Sequence, residues 1–141
     1  MLRHKKINDS TYLLINDKAT STHKPNENSF RGRIYVLTNR GSFSTTSDFT
    51  ALVKSNKMGV FVGEETGGSY LGNTSNYSFL ITLPNTKIKV NIPVARYQNN
   101  VTLEGNFGRG TIPDYKVRYS IDEIIQGIDK ELNTVLALIK D

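Results

Sequence analysis

The sequence predicts an α/β fold built around a parallel βαβ unit, and three observations carry that expectation. Two short runs, Ile34-Tyr35-Val36-Leu37 and Gly59-Val60-Phe61-Val62, lack polar alternation and are rich in β-branched and aromatic residues, as expected of strands buried on both faces of a parallel sheet. Between them lies room for one helix over residues 45–56, with Phe49, Leu52 and Val53 spaced to share one face. Each run opens into a turn of small residues, SFSTTSDF after the first and VGEETGG after the second.

Ahead of that unit, residues 1–30 read as a basic, partly flexible segment, distinct from residues 31–141. The whole net charge of +5 originates in residues 1–40, which hold eight Lys/Arg against three Asp/Glu, whereas the remainder holds ten of each. Tyr12-Leu13-Leu14-Ile15 has the composition of a short strand, and TSTHKPNEN at residues 20–28 is a polar, proline-containing loop. A basic arm attracts nucleic acid or anionic surfaces, but Arg3-His4-Lys5-Lys6 is short and no nucleic-acid-binding signature accompanies it. No nucleic-acid partner is therefore expected.

His4 and His23 lack the Asp/Glu/Cys spacing of a metal site, and the absence of cysteine removes disulfides and thiolate ligands. Neither a metal nor a cofactor is expected. No apolar run is long enough to span a bilayer, and Met1 is followed by polar residues rather than by the apolar region of a signal peptide.

Downstream of the second run, SYLGNTSN at residues 69–76 reads as a surface loop. Tyr77, Phe79, Ile81 and Leu83 then alternate with Ser78, Leu80 and Thr82, while Ile88, Val90 and Ile92 alternate with Lys87, Lys89 and Asn91. Period two means strands, and Pro84-Asn85-Thr86 supplies the turn of a hairpin with one apolar face and solvent-facing lysines. GNFGRG at residues 105–110 has spaced glycines but follows no buried strand and lacks a Lys-Ser/Thr pair, which argues against a phosphate loop. A turn at Pro113-Asp114 and a short strand over residues 115–118 come next. Finally, Ser120 and Glu123 form a capping-box pattern, and Ile121, Ile124, Ile125, Ile128, Leu132, Val135, Leu136 and Ile139 trace one apolar stripe of a terminal helix packed on the sheet. Gly127 weakens that helix by up to ~1 kcal/mol relative to alanine.

Ligands of open α/β sheets bind beyond the carboxyl ends of the strands, where residues 40–44 fall. Ser44 is thus placed for chemistry. Spacing alone favours a helix cap, since Ser42, Ser44, Thr45, Thr46 and Ser47 can all accept an unpaired N–H of the first turn.

The ordered set of an apolar strand, SFSTTSDF, VGEETGG, Leu83-Pro84-Asn85, Ile112-Pro113-Asp114 and a terminal helix resembles serine peptidase family 41, which contains the C-terminal processing (tail-specific) proteases and the tricorn-core proteases. The resemblance spans residues 32–140. It implies a ClpP/crotonase-like core, a nucleophile at Ser44, an oxyanion-hole N–H at Thr45, and a substrate cleft bordered by Gly67 and Gly68. It further implies a polypeptide substrate and a location in the bacterial cell envelope or outside the cell.

Other parts of the family pattern do not match. Nothing in residues 1–30 corresponds to Leu-Arg-x-Asn-x-Gly-Gly, which precedes the serine strand and supplies a second oxyanion donor. The lysine base of the tail-specific branch has no counterpart at Gly68-Ser69-Tyr70, and the glutamate of the tricorn-like branch has none near Ile112-Pro113-Asp114. Asp48-Phe49 does follow the acidic-Asp-Phe pattern of tricorn-like members, with Ser47 at the acidic position. A serine hydroxyl needs a base within hydrogen-bond reach and donors for the oxyanion. The chain is therefore expected to be the C-terminal part of a longer catalytic domain, self-associating or pairing with an upstream fragment through an open sheet edge. The alternative is a non-catalytic peptide-binding or assembly module that keeps the fold.

Overall fold

The computed structural model describes residues 3–15, 24–75, 77–103 and 105–140. The chain divides into two compact units, Met1–Gly32 and Arg33–Asp141. In the first, strands β1 (Arg3–Lys6) and β2 (Tyr12–Ile15) pair antiparallel with His4 opposite Leu14 and Lys6 opposite Tyr12. Asn8 Oδ1 accepts from the Ser10 N–H at 3.0 Å and closes the turn between them. The basic run read as an arm is thus a strand; Arg3-His4-Lys5-Lys6 carries no apolar alternation to announce it. His23 lies outside the described residues.

The second unit is organised by a three-stranded parallel sheet in the order β3 (Tyr35–Thr38), β4 (Val60–Gly63), β7 (Tyr115–Lys116). Helix α1 (Thr45–Ser55) connects β3 to β4 in the expected βαβ arrangement, with Tyr35 opposite Val60 and Thr38 opposite Gly63. Successive side chains of β4 face opposite sides of the sheet. Phe61 meets α1, whose Lys54 Nζ lies 5.3 Å from the ring centroid. Val62 packs with Val117 and Val135.

Only the central strand has the burial expected of both. Phe61 and Val62 are fully buried, but Leu37 of β3 is 45% exposed because β3 is a sheet edge. The inner face of α1 also differs from the expected one: Ser47, Thr50, Ala51 and Val53 are buried, while Phe49 and Leu52 are exposed. Thr50 and Thr111 explain the preference for small polar residues, since their hydroxyls share a buried hydrogen bond of 3.1 Å.

Strands β5 (Ser78–Thr82) and β6 (Lys89–Pro93) form the predicted hairpin. Phe79 faces Ile92 and Ile81 faces Val90, so the apolar residues share one side, yet both strands are exposed throughout.

The single terminal helix is instead two, α2 (Ile121–Ile125) and α3 (Lys130–Lys140). The capping box at Ser120 and Glu123 is complete. Gly127 at φ 66 then ends α2 in a Schellman turn, with the Ile128 N–H donating to the Glu123 carbonyl and the Gly127 N–H to the Ile124 carbonyl. Of the predicted stripe only Val135 is buried; Leu138, outside it, also packs on the core. Among the described residues no helix is long and apolar enough to cross a membrane.

Candidate active site

The site forms where β3 hands over to α1. Asn39 tightens the exit from the strand: its side-chain oxygen accepts from the Gly41 N–H at 2.9 Å and its carbonyl from the Ser42 N–H at 3.0 Å. Ser44 follows at the helix N-cap with φ 53 and ψ −127, a backbone conformation that non-glycine residues rarely adopt. Its hydroxyl makes no capping hydrogen bond, so the commoner role for a serine at this position does not apply. Thr45 opens the helix, and its N–H takes no backbone acceptor among the described residues, as first-turn N–H groups generally do not. The helix dipole adds partial positive charge at the same place.

Ser44 opens onto a groove of about 210 Å³ whose lining includes Ser47, Asp48, Gly68, Ser69 and Asn73. Asp48 holds its far side in place. The Asp48 carboxylate accepts from Asn73 Nδ2 at 3.2 Å and from Asn99 Nδ2 at 3.0 Å, and Asn99 also donates to the Tyr70 carbonyl at 3.0 Å. Asn99 is 4% exposed, and its buried Oδ1 has no partner among the described residues.

Gly67 and Gly68 pack directly under the serine turn. A methyl group at Gly67 would lie 2.2 Å from the Arg40 carbonyl oxygen, and one at Gly68 would lie 2.2 Å from Ser47 Oγ. Neither glycine has a positive φ, so close approach explains both. Meanwhile Gly68 N–H and Ser47 Oγ–H both donate to the Ser42 carbonyl, at 3.0 and 2.8 Å. The two glycine-containing turns are thereby locked together.

On the other side of Phe43 lies a larger cleft, about 500 Å³, at the carboxyl ends of all three parallel strands. Phe43 lines both recesses. Glu65 receives a two-pronged contact from Arg109, Nε to Oε1 at 2.9 Å and Nη2 to Oε2 at 2.5 Å, plus the Gly110 N–H at 3.0 Å. The Arg109 hydrogen bond, foremost, holds the Glu65 carboxyl below its ordinary value of 4.5. This pair joins VGEETGG to GNFGRG, a link that separate motifs could not reveal.

Asp114 was read as a turn residue and does more. Its Oδ2 accepts from the Phe61 N–H at 2.9 Å, its own N–H donates to the Phe61 carbonyl at 2.9 Å, and Oδ1 pairs with Lys54. It therefore ties the Ile-Pro-Asp segment to β4 and α1.

The structure thus brings Ser44 and Gly68 to one groove and Gly67 to the adjoining cleft, while Thr45 opens α1 beside Ser44 without lining either recess. Among the described residues no lysine or histidine lines the groove. His4 stands in β1 with its ring edge-on to Tyr12, the centroids 5.6 Å apart. Among the described residues no group of three His, Cys, Asp or Glu could hold a metal ion.

The family model for peptidase family S41 matches residues 3–117. The chain belongs to that peptidase family. Among solved structures, it is similar to one named "putative peptidase" from Parabacteroides merdae ATCC 43184, with a TM-score of 0.55 and 25% sequence identity, covering 91% of this chain. The chain spans about a third of that protein, 35% of its length. No curated protein matches.

Proposed function

We propose that this chain is the nucleophile-bearing part of a serine-type endopeptidase that cleaves polypeptides through an acyl-enzyme on Ser44. The observation that carries the reading is the strained backbone of Ser44, combined with a hydroxyl left free of capping. A serine on a sharp strand-to-helix turn presents its Oγ outward, the arrangement that nucleophile elbows use. Peptidase family membership supports the same chemistry.

In this reading Ser44 Oγ attacks the scissile carbonyl carbon while its proton passes to a base. The Thr45 N–H stabilises the oxyanion, and collapse breaks the C–N bond as the amine takes up that proton. Water then hydrolyses the ester and releases the acid. The base comes from outside the groove, from an upstream segment or another chain. Gly67 and Gly68 border the path of the substrate backbone. We further infer that the parallel strands belong to a ClpP/crotonase-like core, that Asp48-Phe49 points to the tricorn-like rather than the tail-specific branch, and that the enzyme works in the cell envelope or outside the cell.

Intact-mass labelling with a fluorophosphonate, run beside Ser44→Ala, tests the assignment. Labelling lost in the variant is the expected result. A folded protein that takes no label would remove Ser44 as an activated nucleophile of this chain.

A further inference from the structure

A separate recess of about 520 Å³ lies at the amino ends of β4 and β7, against the last turn of α1. With 11 residues rising about 1.5 Å each, α1 puts roughly 16 Å between this recess and Ser44 at its other end. The recess shares no lining residue with the Ser44 groove or with the cleft beside it.

The acceptors around it are already taken. At the end of α1 the Leu52, Val53 and Lys54 carbonyls accept from the Asn56, Met58 and Lys57 N–H groups. Asp114 accepts from Lys54 and from the Phe61 N–H. Ser55 Oγ accepts from the Thr102 N–H at 2.9 Å and shares a further hydrogen bond with the Thr102 hydroxyl.

Donors are left over. Tyr70 is 1% exposed, yet its hydroxyl bonds to nothing among the described residues. That hydroxyl is not sealed away: it keeps some of the residue's small accessible surface, and Tyr70 lines the recess. Lys57 lines it too and has no ion-pair partner among the described residues. Its φ of 55 is the left-handed conformation that follows a helix and that glycine adopts most readily, so a long cation stands where a smaller residue would fit with less strain. Lys54 and Lys57 against Asp114 give the lining one net positive charge.

We propose that this recess is a binding site for a small-molecule monocarboxylate, whose acid group is held by the Lys57 ammonium and the Tyr70 hydroxyl and whose apolar body rests on Val60 and Tyr115. A ligand that supplies acceptors matches the unused donors, and a charged acceptor makes the stronger bonds. The volume falls in the ~300–1,000 Å³ range of small-ligand pockets. A phosphate dianion exceeds the single net charge and meets the Asp114 carboxylate, whereas an amide leaves Lys57 uncompensated. Ser44 takes no part in this site.

The test uses the full chain and two probes of one shape, 2-naphthoate and 2-naphthamide, titrated against backbone amide resonances. The acid should bind about tenfold tighter than the amide, with the largest shifts at residues 54–60, 70, 102, 114 and 115. Tyr70→Phe removes only an unpartnered hydroxyl, and Lys57→Gly removes the cation at a position where glycine relieves strain, so neither should lower the Tm. Each should cut the preference for the acid severalfold, while Lys57→Arg should keep it. Ser44→Ala should bind both probes as the unaltered chain does. Equal affinities for the two probes, no binding of either, or shifts concentrated at residues 40–44 and 63–67 overturn the proposal. So does an acid preference untouched by Lys57→Gly or by Tyr70→Phe, or one lost in Ser44→Ala.

Discussion

Asp48 and Asn99 meet across 51 positions of sequence: the asparagine amide donates to Asp48 Oδ1 at 3.0 Å and, from the same nitrogen, to the Tyr70 carbonyl. One buried side chain therefore fixes α1 to the loop that walls the Ser44 groove. Asn99→Ala leaves the Tyr70 carbonyl and one carboxylate oxygen without a donor, at a cost of about 2 kcal/mol. Urea unfolding should show a lower midpoint, with amide exchange of residues 70–73 accelerated beyond the global change. An unchanged midpoint would sink this account.

Strain at Ser44 has a thermodynamic signature. At φ 53 a side chain is disfavoured by about 1–3 kcal/mol, and glycine relieves that cost. Ser44→Gly should therefore be more stable than Ser44→Ala by about 1 kcal/mol or more. Thermal melts of the two variants side by side decide it; equal Tm values would mean that the turn carries no strain.

Acid should loosen the C-terminal segment. Glu123 accepts from Lys130 Nζ and from the Ser120 N–H, each at 2.7 Å, which lowers its pKa from 4.5 to about 2. The Arg109 hydrogen bond shifts Glu65 in the same direction. A carboxyl whose folded-state value is depressed stabilises fully above 4.5 and loses that contribution as pH falls toward 2. Denaturant midpoints should thus decline between pH 4.5 and 2, and less steeply in Glu123→Gln. Parallel declines in the two proteins would exclude Glu123 as a contributor.

Crowding beneath the serine turn makes Gly67 sensitive to a single methyl group. Gly67→Ala drives a carbon to 2.2 Å from the Arg40 carbonyl oxygen, and overpacking of this kind costs about 1–3 kcal/mol. The lost stability should be accompanied by a lower rate of fluorophosphonate labelling at Ser44, because the displaced backbone is the one that presents it. A stable variant with an unaltered rate would argue against this coupling.

Much of the fold could be read from local pattern. The helix start at Thr45, the hairpin pairs Phe79–Ile92 and Ile81–Val90, and the Ser120–Glu123 box all depend on residues close in sequence or on strict alternation. What escaped depends on neighbours. Leu37 looked like core because apolar content does not distinguish a central strand from an edge. Phe49 and Leu52 looked like the inner face of α1, but Thr111 selects Thr50 instead. Gly127 was priced as a weak spot within one helix, whereas its left-handed conformation ends that helix. At the candidate site, Ser44, Thr45, Gly67 and Gly68 are named by resemblance alone, and the first two share a strand-to-helix turn. The Glu65–Arg109 and Asp48–Asn99 links were not legible, because each joins segments that no motif connects.

Phe43 is the partition between the Ser44 groove and a charged cleft, and it is also the residue whose carbonyl forms the peptide bond to Ser44. A guest that nudges the ring tugs on the serine through a single planar linkage. Shrinking that partition in Phe43→Ala would turn two rooms into one trough, so selectivity and reactivity should shift together in this variant instead of separately.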